Sequence, residues 1–248
     1  MNTLITGASS GIGEALAIEC ARRGDRLFLC GRNVERLNAV AERCRALGAT
    51  VDAEAVDVTD REATAEWIRR CDAAGPLELV FSNAGVSTGE ENEANTRNTF
   101  AVNVGGVLNT VLPAVEAFRR SKPSHAQVVI TASIAGYGPL SACPAYSATK
   151  ACVKTWGLSL RGMLRREGIK VNVVCPGFVR SRITDGNTCP MPFFMEADKA
   201  ARIILARVKR NVGIIAFPWP MRFATWWLST LPYWVNEAIN RLLPRKVI

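Results

Sequence analysis

The 248-residue chain has a single histidine, His125, and its eight cysteines (20, 30, 44, 71, 143, 152, 175 and 189) form no CxxC pair. Neither a metal site nor a disulfide framework is expected from such a set. Cys30, Cys152 and Cys175 fall within apolar elements, where cysteine serves as a small buried hydrophobe. No Pro/Gly/Ser-rich linker breaks the middle of the chain, so one domain over 1–248 is expected, large enough for a sizeable core. No basic-then-apolar leader precedes the first apolar run, which reads as a cytoplasmic protein with reduced thiols.

Acidic residues are scarce toward the C-terminus. Residues 1–160 hold 16 Lys/Arg and 17 Asp/Glu, whereas residues 161–248 hold 15 and 5, so the formal charge of +9 belongs to the last third. Such a bias is either a solvated face or an attraction for a phosphorylated substrate, an acidic carrier or an anionic membrane. No recognition motif accompanies it, so nucleic acid is not expected as a partner.

Short apolar runs alternate with longer helical patterns. Strands are expected near 3–6, 26–30, 51–56, 77–81, 127–132, 170–175 and 213–217, and helices near 11–23, 33–46, 60–73, 95–120, 145–167 and 197–209. This α/β alternation predicts a doubly wound parallel sheet of about seven strands, with helices on both faces and a C-terminal aromatic helical extension within 196–248. In the helix at 145–167, Val153, Trp156, Leu160, Met163 and Leu164 form one apolar stripe, which frees another face for polar chemistry.

Ligands of such sheets bind at the carboxyl ends of the strands. After the first strand come Thr6-Gly7-Ala8-Ser9-Ser10-Gly11-Ile12-Gly13, whose glycines permit a tight turn against which a pyrophosphate can meet backbone N–H groups at a helix N-terminus. The spacing TGxxxGxG lacks the Gly-Lys-Ser/Thr ending of a triphosphate loop, which favours a dinucleotide. Farther on, Tyr146 and Lys150 lie four residues apart at a helix start, where an ammonium can stabilise a phenolate and bring its pKa down. Ser133 ends a strand 13 residues before Tyr146.

Together with Asn83-Ala84-Gly85, Asn103 and Pro176-Gly177, these motifs resemble the short-chain dehydrogenase/reductase family along nearly the whole chain, which implies a single-domain Rossmann fold. The resemblance implies Tyr146 as the acid/base, Ser133 on the substrate oxygen, Lys150 lowering the Tyr146 pKa and binding the nicotinamide ribose, and Asn103 holding a water that links Lys150 to solvent. Singly, Ser133 could cap a turn and Asn103 could satisfy backbone groups where the central helix bends near Gly105-Gly106. The cofactor set implied is Gly7, Ser9, Ser10, Gly11, Ile12, Gly13, Arg32, Asp57, Val58, Asn83, Ala84, Gly85, Tyr146, Lys150, Pro176, Gly177, Val179 and Ser181, with Asp57 at the adenine. Ser82 and Ser181 depart from the family's usual asparagine and threonine, each keeping a small polar group.

No carboxylate follows the second strand at Cys30-Gly31-Arg32-Asn33. Arg32 offers a guanidinium to a 2′-phosphate, so NADP(H) is expected; the alternative is a solvated loop arginine. The expected activity is hydride transfer between this cofactor and a carbonyl/alcohol substrate with an apolar part, by a homo-oligomer (dimer or tetramer). Alternatives are a 3-oxoacyl-thioester or membrane-lipid ketone substrate, and a non-catalytic NADP-sensing protein. Substrate contacts are expected at Ser133, Ala135, Cys143, Tyr146 and Phe178. The apolar segment Phe178 to Met195 reads as a mobile lid or a static packed loop. Four tryptophans, at 219, 226, 227 and 234, crowd the last 30 residues. Between Pro220 and Pro232 there is too little chain to span a bilayer, and a peripheral membrane contact with Arg222, Arg241, Arg245 and Lys246, a subunit interface and a cover for the cleft all remain open.

Overall fold

Because successive strand side chains point to opposite faces, continuous apolar strands must be covered on both sides. A computed structural model describes residues 1–87, 90–185 and 190–242, the side chains of 233 and 240–242 excepted; Cys189, Arg245 and Lys246 lie outside the described residues, and so does the side chain of Arg241. The chain runs β1 (Asn2–Thr6), α1 (Gly11–Arg22), β2 (Arg26–Cys30), α2 (Val34–Ala46), β3 (Val51–Glu54), α3 (Arg61–Ala74) and β4 (Leu79–Ser82). Next come α4 (Glu93–Phe100), a π-helical turn (Ala101–Gly105), α5 (Gly106–Ser121), β5 (Gln127–Thr131), a 3-10 turn (Ile134–Tyr137), α6 (Pro144–Leu164) and a second 3-10 turn (Arg165–Glu167). Then follow β6 (Lys170–Pro176), the single turn α7 (Arg182–Asp185), α8 (Ala197–Lys209), β7 (Ile214–Phe217), α9 (Trp219–Thr230) and α10 (Tyr233–Leu242).

All seven strands are parallel in the order β3-β2-β1-β4-β5-β6-β7. Phe28 and Cys30 of β2 face the core made with α3, α5 and α6, while Leu27 and Leu29 face the one made with α1, α2 and α8. The winding reverses between β1 and β4, and it is there that a crevice opens at the strands' carboxyl ends. This is a single-domain Rossmann-like fold, as expected from the alternation.

Several sequence expectations shift. The central helix starts at Glu93 rather than 95 and is interrupted by the wide π turn. Met163 is 61% exposed and Cys152 is exposed, not core residues. At 100° per residue both sit at the rim of the Val153–Leu160–Leu164 stripe, about 80° and 100° from Val153, where the helix already turns to solvent. The strand expected to reach 56 ends at Glu54, and β4 starts two residues later than expected. By length and composition Glu93–Ser121 is the one stretch among the described residues apolar enough to cross a membrane, but half of its most apolar window is buried inside this domain.

Candidate active site

The phosphate-side loop is fixed by its own backbone. Gly7 holds φ +68°, a left-handed conformation that disfavours side chains, and a Cβ on Gly13 would collide with the Gly7 carbonyl oxygen. Ala8 N–H donates to the Cys30 carbonyl at 2.9 Å, tying the loop to β2. The Thr6 hydroxyl accepts from Asn83 N–H (3.0 Å) and Ala84 N–H (3.2 Å), and Asn83 Nδ2 donates back to the Thr6 carbonyl at 3.3 Å. Thr131 Oγ1 donates to Asn83 Oδ1 at 3.3 Å, so one amide staples the ends of β1, β4 and β5.

These strand ends line a cleft of about 700 Å³, within the size range of small-molecule sites. Of the expected cofactor residues, all but Gly13 line it; Gly13 lies behind the loop, against Gly7. Ser133 and Tyr146 line it too, while Ala135, Cys143 and Phe178 do not. Ala135 instead donates its N–H to Ser133 Oγ at 3.1 Å, and Phe178 carries the carbonyl that receives Met195 N–H. Ser82, the first departure from the family pattern, is buried in β4 and is absent from the lining.

At the far end of the cleft, Arg32 is exposed and 4.0 Å from the Asp57 carboxylate. Asp57 Oδ1 is held by the N–H and hydroxyl of Thr59, both at 2.9 Å, which fixes the carboxylate's orientation. Sequence reasoning missed Arg36. Its N–H donates to the Asn33 side chain at 2.8 Å in a helix cap, its side chain lines the cleft beside Arg32, and its buried Nε has no hydrogen-bond partner. Arg182, Ile183 and Thr184 of α7 also line the cleft beside Ser181; Ile183 belongs to the apolar segment expected on the substrate side, and Arg182 and Thr184 were not singled out.

At the other end Ser133, Tyr146 and Lys150 converge. Pro144 opens α6 at a position where its missing N–H costs no hydrogen bond, and the Glu91 carboxylate accepts from Ala145 N–H at 2.9 Å in place of a local cap. Lys150, 3% exposed, donates to the Thr131 carbonyl at 2.9 Å and sits 5.7 Å from the Tyr146 ring centroid. Burial lowers the Lys150 pKa to about 8. Burial also pushes the Tyr146 phenol up to about 12, against a downward pull from its hydrogen bond with Ser133. Lys150 is not among the groups that shift the Tyr146 phenol here: the ammonium donates to a carbonyl, and desolvation dominates both groups.

Asn103 lies beneath this pair, fully buried. Its Oδ1 accepts from Val86 N–H (2.8 Å), and its Nδ2 donates to the Val86 carbonyl (2.9 Å) and to Thr149 Oγ1 (3.2 Å). Both polar atoms thus have protein partners. A Cβ on Gly85 would stand 3.2 Å from Asn103 Oδ1 and 3.3 Å from Lys150 Nζ, so a glycine lets that lysine lie close above Asn103.

The segment after Phe178 returns to the domain through a bridge between Val179 and Met195, and within it Phe193 and Phe194 remain 59% and 38% exposed.

Comparison with known proteins agrees with this architecture. An uncharacterized oxidoreductase of Myxococcus xanthus is 39% identical, covering 97% of this chain and 96% of its own length. A short-chain dehydrogenase from Sphingobium yanoikuyae, solved with NADPH, superposes with a TM-score of 0.80 at 27% identity over 97% of this chain and 94% of that one. A short chain dehydrogenase/reductase from Burkholderia phymatum, solved with NAD, has a TM-score of 0.84 at 24% identity, covering 99% and 96%. The family model described as short chain dehydrogenase matches residues 1–189, more than half the sequence and every strand end that lines the cleft, and the chain belongs to that oxidoreductase family.

Proposed function

We propose that this protein is an NADP(H)-dependent oxidoreductase that interconverts a carbonyl and an alcohol, with Tyr146 as the acid/base. The observation that carries the reading is the convergence of Ser133, Tyr146 and Lys150 at one end of a cleft whose other end presents Arg32 and Arg36. The residues suit such a cofactor: glycines shape the loop at the α1 N-terminus, and the partnerless Nε of Arg36 beside the Arg32 guanidinium suits a 2′-phosphate. When bound, the nicotinamide supplies or takes the hydride.

The protein's own residues do the rest. Ser133 and Tyr146 hold the carbonyl oxygen between two hydroxyls, polarising the bond and orienting its carbon. With the phenol pushed up to about 12, Tyr146 keeps its proton at neutral pH and gives it to that oxygen during reduction. Lys150 then balances the phenolate, its ammonium leaving the Thr131 carbonyl for the new charge. Asn103 acts as a positioning residue, clamping Val86 and thereby the Gly85 backbone against Lys150.

The reading is supported by the family membership, by the unbroken Ser133–Tyr146–Lys150 set and by an NADPH-bound relative at 27% identity. It is tested by following NADPH oxidation against pooled ketones, aldehydes and acyl thioesters. Turnover in at least one pool, abolished in Tyr146→Phe, is expected. Tight NADPH binding with silence across all pools would instead make this a cofactor-sensing protein.

A further inference from the structure

α9 has an apolar face on the wrong side. At 100° per residue, Trp219, Phe223, Trp226 and Trp227 fall within an arc of about 100°, and they are 76%, 58%, 52% and 51% exposed. The opposite face is the one that packs on the domain: Met221 sits against the core, and a side chain on Gly177 would meet Pro218 and Met221, while exposed Arg222 flanks the aromatic arc and hydrogen-bonds Tyr137. α10 is stapled back onto α9 by Asn236, whose Nδ2 donates to the carbonyls of Leu228 (2.8 Å) and Leu231 (3.1 Å), and it carries Trp234, 72% exposed. The helix pair is thus anchored from within and bare outside.

We infer that this aromatic face docks flat on the surface of an anionic phospholipid bilayer. Charge selects that occupant. From residue 218 onward the sequence holds Arg222, Arg241, Arg245 and Lys246 against one acid, Glu237. Tryptophan and phenylalanine among cations suit the headgroup region, where indoles settle and anionic lipids attract the basic residues. A second copy is disfavoured on the same count, because a two-fold contact over this face would bring two copies of Arg222 together, with Glu237 as the one carboxylate the sequence holds from residue 218 onward. Spanning is excluded for α9 by its 12 residues, a length of roughly 18 Å against a hydrocarbon core of about 30 Å.

The location gives docking a use, which rests on the function proposed above. α9 follows the carboxyl end of β7 and packs on the 3-10 turn that follows Ser133, so its outer face flanks the substrate end of the cleft. Exposed Phe193 and Phe194 belong to the segment that leaves β6 at the same edge of the sheet. A bilayer held there would deliver ketones or alcohols that partition into lipid.

Cosedimentation of the full chain with phosphatidylcholine vesicles, with and without phosphatidylglycerol, tests this. Binding to the anionic vesicles should exceed binding to the neutral ones by about tenfold or more and weaken as salt rises. Tryptophan emission should be quenched by brominated acyl chains in the unmodified protein, a measurement that needs no variant. Trp219→Ser/Trp226→Ser/Trp227→Ser should lose vesicle binding by about tenfold or more while its NADPH affinity and Tm stay near the parent values. The inference is overturned by a parent protein that remains in the supernatant with both vesicles, or by binding and bromine quenching alike that ignore the anionic lipid. A dimer in sedimentation velocity that the triple variant dissociates, without vesicle binding, would assign the face to a second copy instead. None of these readouts depends on turnover, so failure here leaves the proposed activity standing.

Discussion

Lys150 Nζ donates to the Thr131 carbonyl at 2.9 Å, so the cation that a neighbouring phenolate would need rests on the end of β5. Burial is the largest influence on both groups, raising the phenol and lowering the ammonium, which leaves Tyr146 protonated at neutral pH. Under the proposed mechanism, that state suits the reductive direction.

A pH asymmetry between the two directions follows. Alcohol oxidation needs Tyr146 without its proton, so its rate should climb as pH rises from 7 toward 10. Reduction needs the proton in place and should gain nothing over that range. Tyr146→Phe should lower both by about 10²–10⁴-fold while NADPH affinity by fluorescence titration changes little. Retained turnover would remove Tyr146 from its role.

Lys150 also predicts a stability signature. Its folded pKa, about 8, lies below the ordinary 10.5, so below pH 8 the buried ammonium costs on the order of 3 kcal/mol. As pH rises from 8 toward 10.5 the folded state sheds this proton before the unfolded chain does, and the cost fades. Urea unfolding should therefore show Lys150→Met more stable than the parent at pH 7, with the gap narrowing by pH 10, even though the proposed mechanism expects Lys150→Met to lose activity. A gap that does not change with pH would mean that Lys150 carries no such penalty.

At the adenosine end, Arg32→Ala and Arg36→Ala should each weaken NADPH by about 10–100-fold, as loss of a charge-assisted hydrogen bond does, and leave NADH within a factor of a few. Equal losses for both cofactors would assign the two arginines to general charge rather than to the 2′-phosphate. Isothermal titration with each cofactor separates the outcomes.

Two glycines make an internal control. Gly13→Ala drives a methyl into the Gly7 carbonyl and should cost about 1–3 kcal/mol of stability, with loss of cofactor binding. Gly162→Ala, in open space on α6, should stabilise by about 0.4–1 kcal/mol through the unfolded chain. Chemical denaturation of both distinguishes tight packing from helix propensity.

The sheet was legible because strands covered on both faces read as unbroken apolar runs, and the cleft because its polar residues follow those runs directly. Arg36 was not, since a helical arginine facing a ligand looks the same in sequence as one facing water. Nor was the partner of Lys150, because Thr131 contributes its carbonyl, which every residue possesses. Met163 and Cys152 were misread at the margin of a stripe whose centre was right. Phe223 and its tryptophans were legible as an aromatic cluster, but only the fold tells which way α9 turns them.

The π turn at Ala101–Gly105 puts one more residue into a helical revolution than its neighbours α4 and α5 carry. Asn103 reaches Val86 from inside it. Deleting a single residue there would restore regular winding with α4 and α5 still nearly in phase, because the wide turn absorbs the extra residue within one revolution, but the residues of the turn would shift and the clamp beneath the lysine would lose its place. Chain length at that point, as much as the asparagine itself, decides where the amide meets the backbone below the lysine.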